Sequence, residues 1–301
     1  MKNNITDNTK SQVQKIFWKL EKKKRYNKNV IKWLNSIGDK NRAIKIENCA
    51  TYIGIAEEEN IPKIVTADFC RERLCAICAW RRQARFLAQT IPMLQIMKNN
   101  GRRFIFVTLT IKNMEYNQLS KSVDDLLLGF HKLHRLKKIK NSWVGIIRSL
   151  ELTYNAERND FHPHLHLLID VDSDYFSNPE KYISYDELVD IWQKIMGLDY
   201  IPQIHMESVT GDENAAVETL KYALKPSTAE NALSAFYYIL RGRRLVSFTG
   251  TFAKMRKKLK YNDFENILTD DMKIKQYKFN LFKFDTTGGV YRFYEQYSYY
   301  D

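Results

Sequence analysis

The nine residues FHPHLHLLI, positions 161–169, hold three of the chain's six histidines within five positions of an apolar run. On a strand successive side chains point to opposite faces, so His162, His164 and His166 share one face. Leu165, Leu167 and Ile169 share the other, which reads as a core face. Imidazoles on a half-buried strand need partners, because a buried polar group left unpaired is costly. Two arrangements satisfy them: a bound metal ion, or a hydrogen-bonded histidine cluster at the sheet surface.

Working outward, WVGIIRSLELTYN (143–155) reads as a second strand, and the polar turn AERND joins it to the histidine strand as a hairpin. With the turn centred near Glu157–Asn159, Glu151 comes opposite either His164 or His166, on the same face and a few ångströms away. Leu150 and Leu152 then point to the core side. Two neutral imidazoles and one carboxylate leave open coordination positions, which suits a divalent ion that must also hold a substrate oxygen. The alternative for Glu151 is a surface salt bridge with Arg148 or Arg158. Pro163 disfavours His162 as a ligand, since it can distort the strand there.

The surrounding order is mixed. A turn and a β-branched run occupy 99–113, a helix 119–139, another helix 184–196 and a short strand 201–209. Helices follow at 214–225 and 229–240, with Pro226 ending the first. His131 and His134, on the helix at 119–139, read as packing or phosphate-contact residues. A hairpin amid such an order predicts an α+β antiparallel sheet rather than a doubly wound one. On the helix 214–225, Glu218, Tyr222 and Lys225 fall at i, i+4 and i+7 and form one stripe. A tyrosine hydroxyl can attack phosphorus when a cation lowers its effective pKa, and a neighbouring glutamate can handle protons or activate water. The same pattern also describes an ordinary solvated helix face.

Upstream, DFCRERLCAICAWRRQARF places Cys70, Cys75 and Cys78 at C-x4-C-x2-C, with Cys49 twenty-one residues before the first. Four thiolates on paired knuckles fit a structural tetrahedral Zn²⁺, and Arg71, Arg73, Arg81, Arg82 and Arg85 beside them would face an anion such as DNA. The competing reading is buried free cysteines. A redox C-x-x-C is disfavoured because no strand-to-helix context precedes it.

Bulk properties agree with a polyanionic partner. The chain has 301 residues, 44% of them hydrophobic, and a net charge of +13. No run of 18 apolar residues occurs and MKNNITDNTK lacks a signal-peptide core, so no membrane association is expected and a cytoplasmic protein is. The expected division is a basic, partly helical and partly disordered arm at 1–45, a cysteine-rich zinc- and DNA-binding module at 46–98, a main domain at 99–260, and an aromatic extension at 261–301.

Taken jointly, these motifs resemble the rolling-circle replication initiator proteins of small bacterial plasmids, within the HUH endonuclease superfamily. The resemblance runs from about residue 49 to 260 and rests on FCRERLCAICAWRR, FVTLTIKN, RSLELTYN, HPHLHLL and ETLKYALK. It implies an antiparallel sheet with helices packed on one side and the active site on the sheet's open face. It implies that His164 and His166 bind Mg²⁺ or Mn²⁺, with Glu151 as third ligand. Tyr222 would be the nicking nucleophile, Glu218 would activate water at termination, and Lys225 would assist at the phosphate. Partners implied are origin duplex, a single-stranded nick site, a host helicase and a DNA polymerase; oligomeric state is left open. Two departures stand out. Ala76 lies where the cysteine knuckle of relatives usually has proline, and the helix carries one tyrosine where some superfamily members carry two. The rival readings are an HUH transposase or relaxase, and a non-enzymatic zinc DNA-binding regulator.

Overall fold

The histidine stretch is a strand, Asp160–Val171, at the centre of a five-stranded antiparallel sheet. The computed structural model describes residues 7–58, 61–209, 229–259 and 278–298. In chain order its elements are α1 (Asp7–Ser36), α2 (Lys40–Glu47), β1 (Tyr52–Glu58), β2 (Ile61–Ala67), α3 (Ala76–Asn99), β3 (Arg103–Thr110), α4 (Tyr116–Arg135), α5 (Lys137–Ser142), β4 (Gly145–Asn155), β5 (Asp160–Val171), α6 (Tyr185–Met196) and β6 (His205–Val209). Then come α7 (Glu230–Ser234), a π-helical turn (Ala235–Ile239), β7 (Val246–Thr249), α8 (Gly250–Leu259), β8 (Lys278–Asp285) and β9 (Val290–Ser298). The chain divides into two compact units, one of residues 1–82 with 264–301 and one of residues 83–263.

In the first unit, β1 is flanked by β2 and β8, and β9 completes the order β2-β1-β8-β9. Val13, Phe17, Leu20, Val30 and Leu34 recur at helical spacing on α1 and are buried. Phe17 stacks on Tyr291 of β9 at 5.2 Å and meets Phe282 of β8 edge-on at 4.8 Å. Three sequence expectations change here. The basic arm is ordered helix from Asp7, because its apolar stripe has a sheet to cover. Two strands, β1 and β2, precede the C-x4-C-x2-C run within the cysteine segment, for which no strand was expected. The arm and the aromatic extension belong to the same unit as the cysteines, and β8 pairs with β1 directly.

In the second unit the strand order is β6-β3-β5-β4-β7. The β4–β5 hairpin is set by its turn. Asn155 accepts the backbone N–H groups of Glu157 and Arg158 through its side chain, and Asn159 takes the left-handed conformation at φ 52°. That register pairs Glu151 with His164. α6 is bounded by a Ser184 cap on the Glu187 N–H and by Gly197 at φ 61°. The helix expected at 119–139 breaks at Leu136, whose extended backbone separates α4 from α5.

One expectation is corrected outright: helices cover both faces of this sheet. α4 packs on the leucine side, where Arg148 lies over Phe130, and α6 meets α4 through Trp192 and Met196 against Gly129. On the histidine side, Met93, Leu94 and Met97 of α3 and Phe252 of α8 pack with Phe104, Ile147 and Leu168. The alternation of β5 explains this. Leu168 follows His164 and His166 on the same face, so the polar face turns apolar two residues on and needs its own cover. Beyond it, Asp170 is fully buried and held by Arg102 at 2.7 Å and by Thr251.

Candidate metal centres

Glu151, His164 and His166 converge at the centre of the second unit's sheet, with exposures of 1%, 8% and 5%. One carboxylate oxygen, Oε2 of Glu151, lies 3.1 Å from His164 Nε2 and 2.7 Å from His166 Nε2. The far sides of both rings are also engaged. His166 Nδ1 is 3.1 Å from the Thr108 hydroxyl on β3, and His164 Nδ1 is 3.2 Å from the His162 carbonyl. Phe106 stacks on the His166 ring at 5.6 Å.

The His162 carbonyl decides the tautomer of His164. A carbonyl only accepts, so Nδ1 must carry the proton. In the neutral ring Nε2 then presents a lone pair toward a carboxylate oxygen, acceptor facing acceptor. Such a contact is stable only with a positive charge between or on the partners: an added proton, or a metal ion that both ligate. Burial alone would raise the Glu151 carboxyl. With the rings protonated, hydrogen bonds and charge from His164 and His166 outweigh it and hold the group well below the usual carboxylate range. The donor set therefore fits a divalent cation, with three ligands from one sheet face and outer partners already in place. His162 lies beside the group, its ring 5.1 Å from that of His164; burial, then the charge of His164, pushes it down.

The cysteines form the second cluster. The Sγ atoms of Cys49, Cys70, Cys75 and Cys78 all lie within 4.8 Å of one another. Cys78 Sγ is 3.6 Å from both Cys49 Sγ and Cys70 Sγ. Tetrahedral zinc with ~2.3 Å bonds sets sulfur–sulfur edges of about 3.8 Å, so the spacing fits Zn²⁺. Backbone N–H groups of Cys70 and Arg71 donate to Cys49 and Cys78, and Arg71 reaches its position through a left-handed backbone at φ 61°. The Asn27 amide donates to Cys75 Sγ at 3.3 Å and accepts from the Ala76 N–H at 2.9 Å, tying α1 to the knuckle. Lys24 is buried nearby and donates to the Glu47 carbonyl. Burial lowers its ammonium, while charge on Cys49, Asp68, Cys75 and Cys70 acts to raise it.

The arginines divide by role. Arg82 donates to the carbonyls of Arg71, Glu72 and Arg73, bracing the loop between the cysteines. Arg81 lies over the Phe69 ring at 4.1 Å. Arg71 and Arg73 are exposed, and Arg85 is half-buried on α3. Glu218, Tyr222 and Lys225 lie outside the described residues. Reading the sequence missed Thr108, Asn27 and Phe106. Thr108 was legible in principle, since it alternates on β3 with the partners of the histidine face, but only the β3–β5 register identifies it.

Among the described residues, no helix is long and apolar enough to cross a membrane. A family model described as a replication protein matches residues 62–285. A "Protein rep" of Streptococcus pneumoniae serotype 2 is 32% identical over 234 residues, covering 74% of this chain and 73% of that protein. A "Protein rep" from a Bacillus species is 30% identical over 256 residues, 75% of this chain and 83% of the relative. Another, from Staphylococcus aureus, is 31% identical over 213 residues, 69% and 93% respectively. No solved structure matches the chain.

Proposed function

Because this chain belongs to the replication protein family, we propose that it initiates rolling-circle replication of a plasmid or similar element by nicking one DNA strand at an origin. The observation that carries this reading is the buried Glu151–His164–His166 triad, whose ligand atoms converge within 4.8 Å of one another on one sheet face. In this reading the fold is of the HUH endonuclease type, and the triad holds Mg²⁺ or Mn²⁺. When bound, that ion polarises the scissile phosphate and stabilises charge on its non-bridging oxygen.

The chain's own residues then divide the work. The Tyr222 hydroxyl attacks phosphorus in line, forming a tyrosine–5′-phosphate bond as the bond to the 3′ oxygen breaks. The 3′-hydroxyl released is the primer for a DNA polymerase. Lys225 steadies charge at the phosphate, and Glu218, one turn before Tyr222, activates water for the terminating cleavage. The cysteine module holds Zn²⁺ and presents Arg71 and Arg73 to origin duplex, and a host helicase opens the template in the cytoplasm.

The test is to incubate the protein with Mg²⁺ or Mn²⁺ and supercoiled DNA carrying its own gene region, then to map denaturant-resistant adducts. The adduct should sit on Tyr222. Tyr222→Phe should bind DNA and form none, because the ring remains while the nucleophilic oxygen is gone. An adduct on another tyrosine, or one that persists in Tyr222→Phe, sinks the assignment.

A further inference from the structure

The apolar stripe of α1 is occupied by its own unit; its opposite side is not. Lys15, Lys19, Lys22, Arg25, Lys28 and Lys32 are all exposed and follow one another at steps of three or four residues. Each therefore neighbours the next on the helix surface. Between Ser11 and Ser36 the one acid is Glu21, and it accepts the Tyr291 N–H at 3.2 Å. Among the described residues none of these six cations makes an ion pair. Like charges at such spacing destabilise a helix. The strain is felt beside them: burial, then repulsion from Lys19 and Lys22, pushes the Lys23 ammonium below its ordinary value. Within the array stands Trp18, 58% exposed, with Lys22 5.5 Å from its ring.

We propose that this face of α1 binds the phosphate backbone of duplex DNA. The proposal rests on the reading of the protein as an origin-binding initiator and adds a second DNA contact, separate from the triad and from the knuckle arginines. Charge complementarity selects the partner. Six cations over 18 residues span roughly 26 Å of a rigid rod about 10–12 Å across, which suits a major groove about 12 Å wide or the backbone alongside it. Single-stranded sites pair cations with several stacking aromatics, and among the described residues this face exposes Trp18, with Tyr26 half-buried beside it. A membrane-surface helix keeps an apolar face for the lipid, whereas Phe17, Leu20, Val30 and Leu34 are buried within the unit.

The experiment uses the full chain with a 30-base-pair duplex of mixed sequence, the corresponding single strand, and vesicles containing phosphatidylserine. The variant Lys15→Gln/Lys19→Gln/Lys22→Gln/Lys28→Gln keeps helix propensity and removes four charges. Its slope of log affinity against log salt should be shallower than wild type by about 3 to 4. The wild type's advantage should shrink roughly 100-fold between 50 and 200 mM salt. The matching lysine-to-arginine variant should keep the wild-type slope, and duplex-induced quenching of tryptophan fluorescence should be smaller in Trp18→Phe than in wild type. Adduct formation on a short single-stranded nick substrate should be unchanged in all of them. If the fourfold variant melts differently from wild type, Lys19→Gln/Lys22→Gln replaces it, with an expected change in slope of about 2. An unchanged duplex slope overturns the proposal, as does loss of vesicle or single-strand binding with duplex binding intact. A wild type that forms no adduct while the slope changes as expected defeats the initiator reading and leaves this one standing.

Discussion

The four cysteines and the Glu151–His164–His166 triad are both buried ligand sets, yet their ligands arrive by opposite routes. The cysteines come from a loop after α2, from the segment after β2 and from the first turn of α3, and Asn27 of α1 braces them from a fourth place. The β1–β2 ladder, continued by the Ala50 N–H bond to the Asp68 carbonyl, brings the Cys49 and Cys70 segments together, whereas Cys75 and Cys78 lie outside any strand pairing, so four sulfurs around an ion would tie the start of α3 to that hairpin. The triad comes from two adjacent strands whose backbone ladder sets the register before any ion is considered. In one region the ligands tie a helix start to a hairpin end; in the other a single pair of strands carries all three. The donor chemistry follows the same division. Four soft sulfurs fill a tetrahedron and leave no position for a substrate, whereas two imidazoles and a carboxylate on one sheet face leave coordination positions open.

The largest expected effect comes from breaking the first kind of site. Cys75→Ser removes the sulfur that Asn27 supports, and ion binding at such a site is folding free energy. The first unit should lose its zinc, melt without a cooperative transition and lose several kcal/mol of stability. Metal content and a thermal melt of the full chain check this. A wild-type melt in zinc-free protein would mean that the sheet and α1 hold the cysteines in place unaided.

At the second kind of site, removing ligands should silence chemistry and spare the fold. His164→Gln/His166→Gln keeps amide donors near Glu151, so the buried carboxylate is not stranded. Nicking should fall on the order of 100- to 1,000-fold, the several kcal/mol that a Lewis acid contributes at a phosphate. The melt should stay cooperative. Collapse of the second unit in this variant would erase the distinction between the two sites.

Sequence legibility followed the same line. The hairpin, its turn and the facing of Glu151 to the histidines were readable because β periodicity and turn chemistry are local. The opposed pair was narrowed to two histidines, and the register selects His164 for the direct pairing while bringing His166 to the same oxygen. The cysteine ligands were readable from spacing, but their surroundings were not. β1 carries a glycine and acidic residues where a strand signal would alternate, and its partner β8 lies more than 200 residues away. The placement of helices on both faces was likewise hidden, since Leu168 looks like one more apolar residue until α3 and α8 are seen to cover it.

The smallest effect sharpens the comparison most, because it perturbs the triad without touching a ligand. Thr108 sits on β3 directly across from His166, and its hydroxyl lies 3.1 Å from Nδ1. For His166 to ligate through Nε2, its proton must be on Nδ1, and the Thr108 oxygen is then the acceptor that holds both tautomer and ring angle. Thr108→Val keeps the shape and β-branching that suit the strand while deleting the acceptor. Outer partners of this kind are worth about 10- to 100-fold in metal affinity. The half-saturating Mn²⁺ concentration for nicking should rise by that factor, while the rate at saturating metal and the melting curve stay near wild type. Thr108→Ser, which restores the hydroxyl, should recover most of the loss. A rate lowered equally at every metal concentration would assign Thr108 a packing role. No change at all would mean that the sheet alone fixes the His166 ring, so that the fold organises even the protonation state of its ligands.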